Sequence, residues 1–303
     1  MTPRFAFIGF GEAGSTIAQS LRDAGVERIA AYDILFDDPG AATAMRARAK
    51  EIGVTACDTA QAAIAGADIV FSTVVCKASL PVAVEAARHL RPEQLYLDFN
   101  SISPGLKRQV AEAIAPSGAR YVEASVMSTV PGNGHRVPML LGGTGARDFI
   151  ALVEPLNFNV EFVEEEVGLA SATKMVRSIM MKGLEALYLE CMRAAEHYGI
   201  EQKILDSVDE TIAGRNWTQN ANRVIPRTVI HAKRRADEMA QVALTLQEIG
   251  MEPTMAAATE HCLRWCAGLG LKDVYKDGAP DNFREVVDKI NEVDGPLRGR
   301  RNK

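Results

Sequence analysis

The first half of the chain alternates short apolar runs with longer alanine-rich stretches. Arg4–Gly9, Arg28–Asp33, Ala67–Val75 and Gln94–Phe99 are short, apolar and partly β-branched, and predict strands. Between them Ser15–Ala24, Ala41–Ile52, Thr59–Ala65 and Leu80–Leu90 predict helices. Strand and helix in alternation predict a parallel sheet covered on both faces. Arg120–Val126, Val137–Gly142 and Val160–Val163 are candidates to extend that sheet.

The pattern changes near Glu164-Glu-Glu-Val-Gly168. From Gly168 onward it is helical, with no convincing strand. Leu169–Tyr198 is broken only by Gly183, and Pro226–Ile249 is expected to open at Pro226 and close before Gly250 and Pro253. Thr254–Ala267 and Asp281–Val293 follow. The expected boundary lies at about residue 165, with the long helix as connector.

Gly9-Phe-Gly11-Glu-Ala-Gly14 directly follows the first predicted strand and opens a helix. In that context the glycines have separate mechanical roles: Gly9 allows a tight turn, Gly11 lets a pyrophosphate approach the backbone, and Gly14 lets helix pack on strand. The phosphates would lie at the positive end of the helix. Asp33 ends the second apolar run, nineteen positions after Gly14. A carboxylate there can accept both ribose hydroxyls of NAD and repel the 2′-phosphate of NADP, and Asp37 and Asp38 add negative charge nearby. NAD is therefore expected over NADP. A competing reading has Asp33 capping a turn while Arg46 or Arg48 folds back onto a phosphate. The cofactor set is Gly9, Phe10, Gly11, Glu12, Ala13, Gly14, Asp33 and Val74. The fold class expected is α/β: a Rossmann-type parallel sheet in residues 1–165 and an all-helical domain in 166–303.

Composition narrows the setting. The 303 residues are 47% hydrophobic and 24% charged, ordinary for a globular protein that buries a core. A net charge of −5 gives no electrostatic reason for nucleic-acid binding; only Arg298–Lys303 is locally basic. No run is long and apolar enough to span a bilayer, and the N-terminus lacks the order of a signal peptide. Five scattered cysteines suit reduced thiols in the cytoplasm. His261 with Cys262 and Cys266 lacks a fourth ligand, so no metal is expected.

Four segments occur in order: the glycine loop, Asp98-Phe-Asn-Ser-Ile-Ser-Pro104, Glu123-Ala-Ser-Val-Met-Ser-Thr-Val130 and Gly168-Leu-Ala-Ser-Ala-Thr-Lys174. Together they resemble the β-hydroxyacid dehydrogenases, over essentially the whole chain. The resemblance implies a nicotinamide-binding domain, a helical domain completing the site, and a homodimer formed through the helical domain. It places the family's catalytic lysine on Lys174, its substrate loop on Asn100 and Ser101, and its Ser-Gly-Gly loop on Met127, Ser128 and Thr129. Ser178 stands where the family has asparagine. The two lost glycines and the shorter Ser178 imply a retained reaction with a reshaped substrate pocket. Imine reductases share the wider fold but usually lack this lysine, which argues against that branch.

The chemistry is consistent with those positions. Oxidising an alcohol requires a base for the hydroxyl proton, and a lysine serves when burial or neighbouring cations bring its pKa toward neutrality. Lys174 and Ser178, four apart, share one helical face. Alone, Lys174 would equally suit a snorkelling lysine on an amphipathic helix. His231 and Arg235, with Lys233 and Arg234, lie on the second long helix. By analogy with the sugar-phosphate branch they could hold an anionic substrate end, or form a solvated face. Gly132–Arg136 reads as a loop that covers the site or does nothing chemical, and Trp217 as a pocket-lining residue or, in the stronger reading, core or interface packing. The expected substrate is a small 3-hydroxy acid, including polyhydroxylated sugar acids. The alternatives are a phosphorylated or bulkier substrate, as in 6-phosphogluconate dehydrogenase, and a protein that senses NAD without turnover.

Overall fold

A computed structural model describes residues 2–276, 278 and 280–295. The basic Arg298–Lys303 end lies outside the described residues. The chain forms two compact units, Met1–Met180 and Met181–Lys303.

The first unit is built on one eight-stranded sheet. In chain order it contains β1 Phe5–Ile8, α1 Glu12–Asp23, β2 Ile29–Tyr32, α2 Ala42–Ile52, β3 Thr55–Ala56, α3 Ala60–Ala65, β4 Ile69–Ser72, α4 Ser79–Ala87, β5 Leu95–Asp98, α5 Pro104–Ile114, β6 Arg120–Val126, β7 Met139–Gly142, α6 Ala146–Val153 and β8 Val160–Glu164. The strand order is β3-β2-β1-β4-β5-β6-β7-β8, parallel except for the antiparallel β6–β7 pair. β1 therefore pairs with β2 on one side and β4 on the other. The chain crosses over there, which makes the carboxyl ends of β1 and β4 the switch point outside which folds of this kind bind ligands.

The central strands read as continuous apolar runs because both faces are covered. Phe5, Phe7, Phe71, Leu95 and Leu97 enter one core, whereas Ala6, Ile8, Val70 and Tyr96 enter the other. The β6–β7 connection is tied down. His135 is buried, its Nδ1 lies 2.7 Å from Ser20 Oγ on α1, and its Nε2 lies 2.9 Å from Leu156 O. A carbonyl only accepts, so Nε2 carries the proton and Nδ1 accepts from the Ser20 hydroxyl.

Burial lowers the His135 pKa, against the opposing bond to Leu156 O. The neutral ring is thus the folded form, and the unfolded chain takes up the proton more readily. This contribution to stability is complete above the unfolded value of about 6.5 and is lost as pH falls toward the lower folded value. The gap in urea midpoint between wild type and His135→Gln is expected to narrow below about pH 6.5. A gap constant with pH would contradict this role.

A 30-residue helix, α7 (Leu169–Tyr198), begins in the first unit and continues into the second. The second unit adds α8 Glu201–Ile212, α9 Trp217–Glu248, α10 Thr254–Gly268, α11 Leu271–Val274 and α12 Phe283–Asp294, and has no strand among the described residues. Helix α9 starts nine residues before Pro226, because Asn216 and Gln219 form a reciprocal capping box. Pro226 lies buried inside the helix and does not open it. Glu190 of α7 accepts the Met255 and Ala256 N–H groups at 2.8 and 2.9 Å, capping α10. No helix among the described residues is long and apolar enough to cross a membrane.

Candidate active site

The loop from β1 to α1 is shaped by its glycines. Gly9 has φ +94°, and a Cβ there would lie 2.5 Å from Thr73 O. A Cβ on Gly14 would meet Gly9 O at 2.5 Å, so the helix can approach the strand only without a side chain. Gly11, which caps α1, faces open space: nothing lies within 4 Å of its hypothetical Cβ. Glu12, Ala13 and Gly14 open the 12-residue α1, where N–H groups lack intrahelical acceptors. An open, side-chain-free approach to a helix N-terminus is what a pyrophosphate requires, so these residues fit a dinucleotide. Phe10 is fully buried against Phe36 and anchors the turn from below.

Asp33 leaves β2 and points back at this loop. Its Oδ2 accepts the Phe10 N–H at 2.6 Å, and its Oδ1 accepts the Leu35 N–H at 2.9 Å. The carboxylate therefore does cap a turn, and the same bonds hold it beside the glycine loop. Each oxygen retains a lone pair for a ribose hydroxyl. Arg46 bonds Phe36 O and Asp58, and exposed Arg48 borders a separate cavity with Ser15, Glu51 and Asn133.

The loops after β4 and β5 are joined by Asn100. Its Oδ1 accepts the Val74 N–H at 2.8 Å, and its Nδ2 donates to Ser72 Oγ and Asp98 Oδ1 at 2.9 and 2.8 Å. Asn100 is 4% exposed, so its amide braces the two loops. The neighbouring Ser101 is exposed and receives the Lys174 Nζ donor at 2.6 Å. Because Ser101 Oγ accepts from the amine, its own proton is directed elsewhere, available to a substrate oxygen. On the far side of Ser101, Cys76 Sγ lies 3.2 Å from Ser101 O. Lys174 is half-buried in the second turn of α7. Ser178 shares its face, but the Ser178 hydroxyl donates back to Lys174 O at 2.9 Å.

Beneath these groups lie charges: Lys107, outside every motif, and Asp98 and Glu123, which head two motif segments without an assigned role. Lys107 and Asp98 form an ion pair at 3.2 Å with both side chains 0% exposed. Lys107 Nζ also donates to Asp98 O at 2.7 Å and Ala124 O at 3.3 Å, and Tyr121 Oη donates to Asp98 Oδ2. Burial draws the Lys107 pKa down while Asp98 and Glu123 act to raise it; burial and Asp98 together push Tyr121 well up. Glu123, also 0% exposed, accepts the Gly168 and Ser171 N–H groups, each at 2.7 Å. The available signal was a charge at the centre of a strand otherwise buried on both faces, and a lysine on the apolar side of α5.

Met127 donates its N–H to Pro138 O, continuing the β6–β7 ladder, whereas Ser128 and Thr129 are exposed in the loop. The Asn133 amide donates to Thr129 O. His231 and Arg235 belong to α9 of the second unit; His231 is exposed, and Arg235 donates to Thr228 Oγ1. Arg234 pairs with Glu238 one turn along. Trp217, at the start of α9, is 69% exposed.

Comparison with known proteins agrees with this fold. Residues 4–156 match the family described as NAD binding domain of 6-phosphogluconate dehydrogenase, and residues 195–266 match a domain of unknown function, DUF1932. A conserved hypothetical protein from Sinorhizobium meliloti 1021 shares 39% identity, with 97% of each chain covered and a TM-score of 0.60. The mitochondrial 3-hydroxyisobutyrate dehydrogenase of Drosophila melanogaster is 22% identical over 84% of this chain and 78% of its own. An imine reductase from Myxococcus stipitatus, solved with NADP+, has a TM-score of 0.73 at 19% identity, covering 95% of this chain and all of its own. That likeness is one of fold, and a variant of the same enzyme has been solved with NAD+. With its glycine turn, its eight-stranded mostly parallel sheet and its helical C-terminal region, the chain belongs to the β-hydroxyacid dehydrogenase family of nicotinamide-dependent oxidoreductases.

Proposed function

We propose that the protein oxidises the hydroxyl of a small 3-hydroxy acid with NAD, using Lys174 as general acid/base. The observation that carries this reading is the 2.6 Å contact of Lys174 Nζ with Ser101 Oγ, at the carboxyl end of the strand next to β4 and its Val74 loop. When bound, the nicotinamide supplies the two-electron acceptor. Gly9–Gly14 and Asp33 hold the dinucleotide, and Val74 lines it. Ser101 donates its hydroxyl proton to a substrate oxygen, with Ser128 and Thr129 supplying further polar groups. Lys174, as the neutral amine, takes the substrate hydroxyl proton and returns it in the reverse direction.

Several features support the finer parts of the reading. Two aspartates besides Asp33 follow β2, at Asp37 and Asp38, and both are exposed, which favours NAD. Helix α8 has no buried residue although Leu205, Val208 and Ile212 lie at helical spacing, and each is exposed. Val176 and Ile179 of α7 are 65% and 72% exposed. Such apolar faces favour burial in a homodimer through the helical domain. All five cysteines are free, in keeping with a reducing cytoplasm. We further assign residues 1–165 to cofactor binding and 166–303 to substrate contacts and dimerisation, with His231 and Arg235 as candidate anion ligands. The short Ser178, bonded back to its own helix, favours a bulkier or phosphorylated substrate as the second reading.

The test is formation of reduced nicotinamide from a panel of 3-hydroxy acids, sugar acids and their phosphate esters, assayed with NAD and with NADP. Turnover only with phosphate esters selects the second reading, and tight NAD binding without any turnover refutes both. In the same assay Asp33→Ala is expected to narrow the NAD-over-NADP preference by about tenfold, the loss of a charge-assisted hydrogen bond. An unchanged ratio would place ribose recognition elsewhere.

A further inference from the structure

We infer that Glu123 is the positioning residue for Lys174: its buried carboxylate fixes the start of α7, and thereby the register and direction of the amine one turn later. The inference rests on the assignment of Lys174 as acid/base.

Glu123 occupies the middle of β6, paired with Asp98 of β5 and opposite Gly142 of β7. Its side chain leaves the sheet and spans to the helix. Oε2 accepts from Gly168 N and Oε1 from Ser171 N. Ser171 Oγ donates to Gly168 O at 3.1 Å and closes the same turn. Two anchors on one rigid carboxylate define both where the helix begins and how it is rotated about its axis. A single anchor would leave the rotation free. Lys174 follows Ser171 by three residues, so a rotation of the first turn is carried to Nζ with the leverage of the lysine side chain.

Two further features hold the carboxylate itself. Gly142 supplies the room it needs: a Cβ there would lie 2.9 Å from Glu123 Oε2. Ser171 closes the turn it binds, so both N–H donors to the carboxylate belong to one ordered loop. Lys107 binds Asp98, and Asp98 binds Asn100, the residue that braces the Val74 loop and precedes Ser101. Two buried anchors therefore set the two partners of the Lys174–Ser101 contact, Glu123 on the helix side and the Lys107–Asp98–Asn100 chain on the loop side. A carboxylate at the start of a long helix is also favoured by the helix dipole, so the anchor does not compete with helix formation.

The experiment uses Glu123→Gln and Gly142→Ala in the full-length protein. The first replaces one acceptor by an amide donor that faces an N–H. The second keeps the charge and crowds Oε2, with Glu164 O 3.2 Å from the added Cβ as the other neighbour that must give. Lysines are reductively methylated with ¹³C-formaldehyde, and the Lys174 resonance is identified by its absence in Lys174→Ala. In wild type this signal is expected to be broad, as for a side chain held at Ser101. In both variants it should sharpen and its titration midpoint should shift, with NAD affinity within about twofold of wild type. With a hydroxy acid found active in the panel, kcat should fall about 10- to 100-fold with little change in KM, the effect of a misdirected catalytic group. Unchanged Lys174 line shape, midpoint and kcat, with only a lower melting temperature, would overturn the inference and leave Glu123 a structural cap. The two assignments fail separately: retained turnover in Lys174→Ala removes the acid/base role, while the resonance still reports on Glu123. Should Glu123→Gln not fold, Gly142→Ala gives the same readout with every charge in place.

Discussion

Lys174→Ala is expected to lower turnover by about 10²- to 10⁴-fold, the range lost when a positioned acid/base is removed. NAD affinity should stay near wild type, because the residues that would hold the dinucleotide lie on the β1–α1 turn and at the end of β2. The amine donates to Ser101, on the loop after β5. Two controls separate chemistry from structure. Lys174→Arg keeps the charge and the reach to Ser101 but cannot release a proton near neutrality, so it should be nearly as inactive as alanine. Ser101→Ala should lower turnover less than Lys174→Ala and raise KM, since the hydroxyl orients the amine and, on the proposed reading, meets substrate. Turnover in Lys174→Arg comparable to wild type would mean that the lysine serves only as a positive charge. The reaction would then need another base.

The parts of this site that act through the backbone were legible in the sequence. Gly9 and Gly14 are required by close approaches to Thr73 and to Gly9 O, and a glycine spacing between strand and helix reports such approaches directly. The central strands were legible because burial on both faces leaves no polar alternation, only a short apolar run. Other features depend on contacts far apart in the chain. The two-residue β3 is too short to show a pattern and exists through its pairing with β2. Pro226 suggested a helix start, yet the cap ten residues earlier prevailed because Asn216 and Gln219 satisfy each other's backbone groups. Glu123 meets Gly168 and Ser171 across 45 and 48 positions; local sequence shows only a charge in an apolar strand. Asn100 shows the same limit. Motif position suggested contact with substrate, and the fold uses its amide to join two loops.

Lys107→Met is expected to destabilise the fold by about 3–5 kcal/mol, the penalty for removing one partner of a buried ion pair. The two side chains are nearly isosteric, so packing changes little and the loss is electrostatic. Without the ammonium, Asp98 O and Ala124 O lose a donor, and the Asp98 carboxylate remains buried with only Tyr121 and Asn100 as donors. The difference in urea unfolding free energy between wild type and variant, measured near neutrality, reads this loss directly. Asp98→Asn in the Lys107→Met background removes the stranded charge and keeps an acceptor for Asn100. It should recover a substantial part of the loss, giving a coupling energy of the size found for residues in one network. A single-variant loss below about 1 kcal/mol, the worth of an exposed pair, would mean that water reaches Lys107. The loops carrying Val74 and Ser101 would then be braced by Asn100 alone.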